Sequence, residues 1–211
     1  MLSVEAPYLI GIAGGSCSGK TTVAELLTQK LKPSGTIHIT LDSYYRDVSR
    51  KGPEYLRRHN FDHPDALDHP LIVSQLRAIA LGKVIDKPIY DFETHARRAD
   101  AERIRPNHFV IVEGLFALYW QEIRRYFSTK VFIDAPHDVC LKRRMERDYV
   151  QRGRTPEDIR HRYNAMARPM FDLHVLPTRK YADTIVSGCQ PPEVAADAVI
   201  QHINATKKEC S

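Results

Sequence analysis

A glycine-rich segment near the start of the chain constrains its fold more than any other feature of the sequence. Residues 14–21 read GGSCSGKT and match the pattern G-x-x-x-x-G-K-[ST]. Glycine permits backbone conformations in which consecutive N–H groups point at phosphate oxygens, and a helix that begins directly after the loop adds its positive N-terminus. The pattern therefore predicts a loop between a buried strand and a helix, with the phosphates of a nucleotide bound in the loop.

Each residue of this loop is a candidate for contact with ATP. Lys20 can reach the β- and γ-phosphates, and the hydroxyl of Thr21 is a suitable ligand for Mg²⁺, so we expect ATP as donor and Mg²⁺ as cofactor. Cys17 is most simply interpreted as a small side chain in a tight turn. The other candidates for contact with ATP are Gly14, Gly15, Ser16, Ser18, Gly19 and Thr22.

Length and composition narrow the class of protein. A chain of 211 residues suits a single domain, residues 1–211, with a small insertion or lid. No apolar run approaches the ~20 residues of a membrane span, and the first residues lack the pattern of a signal peptide, so we expect a cytoplasmic protein without a membrane partner. The four cysteines, at positions 17, 140, 189 and 210, form no C-x-x-C pair, which predicts reduced thiols.

The net charge of +5 is concentrated in one part of the chain. Basic residues outnumber acidic residues between positions 138 and 168. Such a local excess suits a small polyanion such as a triphosphate, whereas proteins that bind duplexes spread their phosphate contacts over a wide face. We therefore expect no nucleic-acid partner.

Short apolar runs alternate with helical stretches along the chain. The predicted strands cover residues 8–13, 36–41, 109–112, 130–133 and 184–186. The predicted helices cover residues 21–31, 71–81 and 192–203. Apolar strands separated by helices indicate a parallel sheet that is covered on both faces. We expect an α/β fold of the P-loop NTPase type, with a five-stranded parallel sheet and helices on both faces.

Three carboxylates directly follow predicted strands: Asp42, Glu113 and Asp134. Ligands bind at the carboxyl ends of the strands in sheets of this kind. Asp42 is the natural candidate for the base in phosphoryl transfer, and Glu113 and Asp42 join Thr21 as candidate Mg²⁺ ligands. Asp134 is interpreted as structural. The GTPase motifs D-x-x-G and N-K-x-D occur nowhere in the sequence, which favours a kinase.

The stretch of residues 43–101 is less regular than the rest and rich in Asp, His, Tyr and Pro. It contains one clear helical pattern, residues 71–81, and the run PIYDF at 88–92. We expect this stretch to form a small insertion over the carboxyl edge of the sheet, where an acceptor would bind.

A second segment, residues 138–168, is predicted to form a helical lid. Arg144 and Arg147 are spaced i, i+3 and so share one helix face, and Arg152 and Arg154 follow on either side of a glycine. This arrangement suits a mobile lid that delivers guanidinium groups to phosphates.

Several longer segments resemble the uridine kinase (uridine–cytidine kinase) family of P-loop kinases, and the resemblance extends from Ile10 to about Val186. Besides the phosphate loop, the shared segments are DSYY (42–45), NFDHPDALD (60–68), PIYDFETHAR (88–97), EGL (113–115), RRMERD (143–148), RGR (152–154) and KYAD (180–183). The phosphate loop is common to many families, whereas residues 60–66 and 90–92 are far more specific.

The resemblance implies ATP-dependent phosphorylation of the 5′-hydroxyl of uridine or cytidine, a reaction of pyrimidine salvage. It implies that Asp42 accepts the hydroxyl proton and that Lys20 and Arg147 assist the transfer. The implied nucleoside-binding residues are Asp42, Tyr45, Asp62, Tyr90, Phe92, His95 and Arg147. The implied lid contacts with the ATP phosphates are Arg144, Arg152 and Arg154. The family also implies a homotetramer that is inhibited by CTP or UTP.

Two positions depart from the family pattern. Leu41 stands where the family more often has a polar residue such as glutamine, and Arg162 stands where many relatives carry a glutamine near the base. Because arginine only donates hydrogen bonds, Arg162 could not accept one from the amino group of cytosine.

Two other functions stay open at this point. The first is a related kinase that acts on ribulose 5-phosphate, pantothenate or another small alcohol. For a phosphorylated acceptor the insertion offers the basic residues Arg46, Arg50, Lys51, Arg57 and Arg58. The second is a nucleotide-binding regulatory protein without turnover, which the intact Lys20, Thr21, Asp42 and Glu113 disfavour.

Overall fold

The computed structural model describes residues 6–209; residues 1–5, on which the signal-peptide expectation rests, and Cys210 lie outside this range. The strands are β1 (Tyr8–Gly14), β2 (Thr36–Thr40), β3 (Ile85–Asp91), β4 (Ala96–Ile104), β5 (Phe109–Glu113), β6 (Thr129–Asp134) and β7 (Thr184–Ser187). The α-helices are α1 (Lys20–Leu31), α2 (Gly52–Arg58), α3 (His69–Ala80), α4 (Gln121–Arg124), α5 (His137–Arg152), α6 (Pro156–Arg162), α7 (Arg168–Met170) and α8 (Pro192–Glu209).

Five of these strands form one parallel sheet in the order β2-β5-β1-β6-β7. In this sheet Ile12 of β1 and Thr40 of β2 both lie beside Glu113 of β5. Every residue of β5 is buried, and all but the first residue of β1, because helices cover both faces of the sheet. The expected α/β fold with a five-stranded parallel sheet is confirmed.

The sheet divides the hydrophobic core into two layers because successive side chains of a strand point to opposite faces. One layer joins Ile10 of β1 to Leu27 of α1 and Val199 of α8. The other joins Leu9 of β1 to Ile72 of α3 and to further side chains of the insertion. Burial on both faces fixes the strands rigidly, so the residues at their carboxyl ends have little freedom to move apart.

Strand β2 ends one residue earlier than the sequence predicts. The strand was expected to include Leu41, but Leu41 starts a 3₁₀ turn that runs to Tyr44. The side chain of Leu41 is fully buried against Gly114. A Cβ added to Gly114 would lie 2.7 Å from the Cβ of Leu41, so this close contact requires glycine at position 114. The hydroxyl of Thr40 accepts a hydrogen bond of 3.2 Å from the backbone N–H of Asp42. The turn therefore holds Asp42 at the edge of the sheet.

The insertion is built around an antiparallel hairpin of β3 and β4, whose register shifts between Pro88 and Tyr90. Arg97 of β4 ties this hairpin to the segment that follows β2. Its guanidinium donates to the carbonyl oxygens of Tyr45 (2.9 Å) and Tyr44 (3.0 Å) and to the carboxylate of Asp68 (3.1 Å). The hairpin and the turn after β2 are thus held as one unit.

The lid segment begins with α5, which ends at Gly153 in a left-handed conformation with φ of 59°. Helix α6 follows and leads into π-helical turns at Tyr163–Ala167 and Phe171–Val175. The ring of Phe171 lies 3.3 Å from the place that a Cβ on Gly15 would take. The segment after the lid therefore packs directly against the phosphate loop.

Two further expectations concern thiols and membranes. Cys17, Cys140 and Cys189 are free thiols in the described part of the chain. Burial raises the pKa of the Cys140 thiol to about 11. Between residues 6 and 209, no helix is both long enough and apolar enough to cross a bilayer.

We expect Arg97→Ala to lower the free energy of unfolding by about 2–3 kcal/mol, because three charge-assisted hydrogen bonds are lost and their acceptors stay partly buried. Urea denaturation followed by circular dichroism measures the change. Arg98→Ala is the control, since Arg98 is exposed and its one ion pair among residues 6–209 is with Asp100. Equal stability of the two variants would contradict the role given to Arg97.

Candidate active site

The phosphate loop connects β1 to α1 through two glycines with positive φ. Gly14 has a φ of +151°, and a Cβ there would lie 2.5 Å from the carbonyl oxygen of Ile133. Gly19 has a φ of +105° at the position before α1. Lys20 is 6% exposed, and its ammonium donates a hydrogen bond of 2.7 Å to the carbonyl oxygen of Gly15. The loop therefore encloses a positive charge at the N-terminus of a helix, as phosphate binding requires.

Two of the carboxylates expected at strand ends meet beside this loop. Glu113 is 3% exposed, and the hydroxyl of Thr21 donates to its Oε1 at 3.4 Å. Burial and the neighbouring Glu113 raise the pKa of Asp42 to about 6, although Lys20 and Arg147 act in the opposite direction. Asp42 and Glu113 are therefore close enough to repel each other.

The oxygen donors at this point fit Mg²⁺. Magnesium prefers oxygen ligands, and proteins hold it with one or two carboxylates while the phosphates of the substrate supply further oxygens. Thr21, Glu113 and Asp42 supply one hydroxyl and two carboxylates in the same cavity. Burial is the main cause of the raised pKa of Asp42, and the nearby carboxylate of Glu113 adds to it. The structure thus brings together the three residues expected to bind the metal.

Asp134, expected to be structural, lies elsewhere. It is the last residue of β6, and its carboxylate pairs with Arg179 at 3.4 Å. It lines neither of the two cavities described next.

Two cavities adjoin at the carboxyl edge of the sheet. The first has a volume of about 440 Å³ and lies over the phosphate loop, with Arg143 on its wall. The second has a volume of about 80 Å³ and is lined by aromatic and basic side chains of the insertion and lid. Ser16, Asp42, Leu115 and Arg147 line both cavities. A carboxylate that faces both cavities can accept a proton from a group bound in one cavity while that group attacks a second group bound in the other.

The expected ATP-binding residues of the loop fall into two groups. Those that line the first cavity are Ser16, Cys17, Gly19, Lys20, Thr21 and Thr22. Gly14, Gly15 and Ser18 shape the loop without lining that cavity. Ser18 is fully buried, and its hydroxyl has no hydrogen-bond partner within the part of the chain that is described.

Aromatic rings from separate segments form the wall of the second cavity. The rings of Phe61 and His95 stack at 4.8 Å with an angle of 19°, and those of Tyr45 and Tyr90 are 5.4 Å apart. Phe92 lies 5.1 Å from Tyr90 and is 46% exposed. Such a wall suits a flat ring.

Polar atoms in this wall supply possible contacts with the edge of that ring. Nδ1 of His95 and the hydroxyl of Tyr90 are buried, and neither has a hydrogen-bond partner among residues 6–209. Burial, and then the nearby Arg154 and Arg152, lower the pKa of His95, so its imidazole is neutral at physiological pH. A neutral imidazole can donate or accept, which suits ring edges of either kind.

Asp62, one of the implied nucleoside-binding residues, lines the second cavity and is 8% exposed. The guanidinium of Arg144 donates to both of its carboxylate oxygens, at 3.3 and 3.4 Å. The same guanidinium donates to the hydroxyl of Ser16 at 3.4 Å. Arg144 therefore bridges the phosphate loop and the second cavity.

The lid arginines are divided unequally between the two cavities. Arg144, Arg152 and Arg154 were expected near the ATP phosphates, but they line the second cavity, whereas Arg147 lines both. Arg162, the residue that departs from the family pattern, also lines the second cavity. Contacts of these arginines with ATP phosphates stay a prediction.

Sequence reasoning missed several lining residues. Arg143 donates to the carbonyl oxygens of Ser18 (3.4 Å) and Gly188 (2.9 Å), which ties α5 to the loop. It was one of many basic residues in the lid segment, and no local signal separates it from its neighbours. Phe61 lies in the specific segment 60–66, so its type and context could have identified it as a wall residue.

Comparison with known proteins identifies relatives of this chain. The model of the Phosphoribulokinase / Uridine kinase family matches residues 9–195. A uridine kinase of Chloroflexus aurantiacus is 42% identical over 199 residues, which cover 94% of this chain and 95% of that protein. Uridine-cytidine kinase B of Dictyostelium discoideum is 37% identical over 203 residues, which cover 96% and 84%. The solved structure of phosphoribulokinase from Rhodobacter spheroides shares the fold, with a TM-score of 0.67 at 14% identity over 86% of this chain and 70% of that one.

We expect Lys20→Ala to weaken the binding of Mg·ATP by about 100-fold, since a buried ammonium that bonds to phosphate oxygens contributes about 3 kcal/mol. Isothermal titration calorimetry measures the affinity. Lys30→Ala is the matched control, because Lys30 lies on the same helix and pairs with Asp197 at the surface. Binding by Lys20→Ala within about threefold of the wild type would contradict the assignment.

Proposed function

This chain belongs to the Phosphoribulokinase / Uridine kinase family, and we propose that it transfers the γ-phosphoryl group of ATP to the 5′-hydroxyl of uridine or cytidine. The products are ADP and UMP or CMP. The observation that carries the proposal is the position of Asp42, which lines both the cavity over the phosphate loop and the aromatic cavity. A base between a bound triphosphate and a bound alcohol is what direct phosphoryl transfer requires.

In the proposed mechanism, Asp42 accepts the proton of the 5′-hydroxyl as the oxygen attacks the γ-phosphorus. Its raised pKa of about 6 makes it a stronger base than an ordinary aspartate, while it stays mostly ionised at neutral pH. Lys20 and Arg147 stabilise the negative charge on the transferring group. Thr21, Glu113 and Asp42 would hold Mg²⁺, which supplies charge neutralisation at the phosphate oxygens.

The acceptor is proposed to bind in the aromatic cavity. The rings of Tyr45, Tyr90 and Phe92 would cover the faces of the pyrimidine, and the unpartnered Nδ1 of His95 would reach its polar edge. The carboxylate of Asp62 would accept hydrogen bonds from the ribose hydroxyls. The names of the relatives, uridine kinase and uridine-cytidine kinase, support this choice of acceptor.

The two other functions find less support. The basic residues that a phosphorylated acceptor would use in the insertion, positions 46, 50, 51, 57 and 58, do not line either cavity. Arg57 and Arg58 instead pair with the exposed Glu54. A protein without turnover would not need a carboxylate between the two cavities, so the position of Asp42 favours an enzyme.

Several finer points are part of the proposal. We propose Mg²⁺ as the metal on the basis of its fit to the oxygen donors. The family resemblance supports the proposal that the protein is a homotetramer. The sequence supports the proposal that it is cytoplasmic and has no nucleic-acid partner. Light scattering of the purified protein tests the tetramer.

An ADP-release assay with four acceptors tests the proposed reaction. We expect Mg²⁺-dependent ADP release with uridine and with cytidine, and background release with ribulose 5-phosphate and pantothenate, because the second cavity is built for an aromatic ring. Release only with one of the latter two would reject the acceptor assignment. Background release with all four would favour the nucleotide-binding regulatory protein.

We expect Asp42→Asn to lower kcat about 1000-fold, because an amide cannot accept the hydroxyl proton, while the affinity for ATP measured without Mg²⁺ changes little. Steady-state kinetics and calorimetry measure the two quantities. Asp134→Asn is the matched control, since Asp134 also ends a strand of the sheet but lies outside both cavities. Turnover near the wild-type value in Asp42→Asn would reject Asp42 as the base.

A further inference from the structure

Asp148 on α5 is fully buried, yet the mechanism above gives it no part. Its carboxylate contacts four guanidinium groups: Arg147 at 2.8 Å, Arg154 at 3.2 Å, and Arg144 and Arg152 at 3.6 Å each. Burial acts to raise the pKa of Asp148, but the charges of these arginines outweigh it and hold the pKa below its ordinary value. The side chain is therefore an anion at the centre of a group of cations.

The backbone of the lid brings these cations to one carboxylate. Arg144 and Arg152 lie one helical turn before and one turn after Asp148, so all three share a face of α5. Gly153 then ends the helix in a left-handed conformation, and the N–H of Gly153 donates to the carbonyl oxygen of Asp148. The N–H of Arg154 donates to the same carbonyl oxygen at 3.3 Å, which returns its side chain to the carboxylate.

We propose that Asp148 is a positioning residue that holds Arg147, Arg152 and Arg154 toward the two cavities. The proposal rests on the proposed function, because the cavities are taken to bind ATP and the nucleoside. Arg147 lines both cavities, and Arg152 and Arg154 line the second.

One carboxylate can position several arginines because each guanidinium keeps N–H donors that are free to bind a ligand. Each guanidinium has five N–H donors, and a contact with Asp148 uses only one or two of them. Even with Asp62 paired to Arg144, two anions among four cations leave a positive excess, which attracts phosphate oxygens. Without the anion, the four guanidinium groups would repel one another, and the longer side chains would turn toward solvent.

Arg144 has a second ion-pair partner, so it should respond to the loss of Asp148 differently from the other three arginines. Its ion pair with Asp62 at 3.3 Å remains when Asp148 is neutralised. Arg147, Arg152 and Arg154 have no other carboxylate within 4.0 Å among the described residues. Loss of the charge at Asp148 is therefore expected to act mainly through these three.

The test compares Asp148→Asn with Glu146→Gln, which removes the same charge from an exposed position on the same helix. We expect Asp148→Asn to lower kcat/KM for both ATP and uridine by about 30-fold or more, and Glu146→Gln to stay within about twofold. Kinetics are measured well below the Tm of each variant, so that a loss of stability alone leaves kcat/KM unchanged.

A double-mutant cycle with Arg147→Ala tests whether Asp148 acts through the arginines. If it does, the double variant loses about tenfold less activity than the product of the two single losses, because part of what Asp148 holds is already absent. Losses that simply multiply would overturn the proposal. So would a kcat/KM of Asp148→Asn within about threefold of the wild type.

Further measurements cover the remaining outcomes. If the wild type releases ADP with none of the acceptors, the proposed function fails, and calorimetry with Mg·ATP still decides the positioning role. Affinity about tenfold weaker in Asp148→Asn than in Glu146→Gln supports it, and equal affinity overturns it.

Should Asp148→Asn fail to fold by circular dichroism, Asp148→Glu replaces it. This variant keeps the charge but displaces the arginines, so wild-type activity in it would overturn the proposal.

Discussion

The parallel pairing of β5 with β1 and β2 is the constraint on which the site depends. Because Ile12 and Thr40 both lie beside Glu113, the phosphate loop, the carboxylate proposed to bind the metal and the proposed base leave the sheet at one edge. Apolar burial on both faces holds the strands together, and the backbone hydrogen bonds between them set this register. Burial, to which the neighbouring Glu113 adds, raises the pKa of Asp42, and the rigid core holds the two carboxylates in place beside each other. Two carboxylates held together in this way favour a bound cation.

The sheet and the phosphate loop could be predicted from the sequence because each depends on a local pattern. Apolar runs gave the five strands, and the rule that ligands bind at the carboxyl ends of parallel strands brought Asp42 and Glu113 together. The end of β2 was missed by one residue at Leu41. Its burial against Gly114 involves a residue distant in sequence, and no local pattern contains that contact.

The acceptor cavity could not be predicted in the same way. Its rings come from separate segments, among them Tyr45, Phe61 and Tyr90, and alternation within β3 alone indicates only a half-buried strand. Contacts such as those of Arg97 join these segments, and a spacing rule does not show them. For this part of the site the resemblance to a family carried the prediction. The lid illustrates the same limit, since helical spacing located the arginines but did not show that Asp148 gathers them.

Arg144 has an energetic consequence for the two substrates. Its guanidinium contacts the hydroxyl of Ser16 at 3.4 Å and the carboxylate of Asp62 at 3.3 Å, so one buried cation is shared between the proposed donor and acceptor sites. If one ligand changes the free energy of this shared contact, the binding free energy of the other ligand changes with it. Thermodynamic linkage makes the effect reciprocal. The factor by which ATP changes the affinity for the nucleoside must equal the factor by which the nucleoside changes the affinity for ATP, so any coupling through Arg144 makes each substrate a heterotropic effector of the other to the same degree.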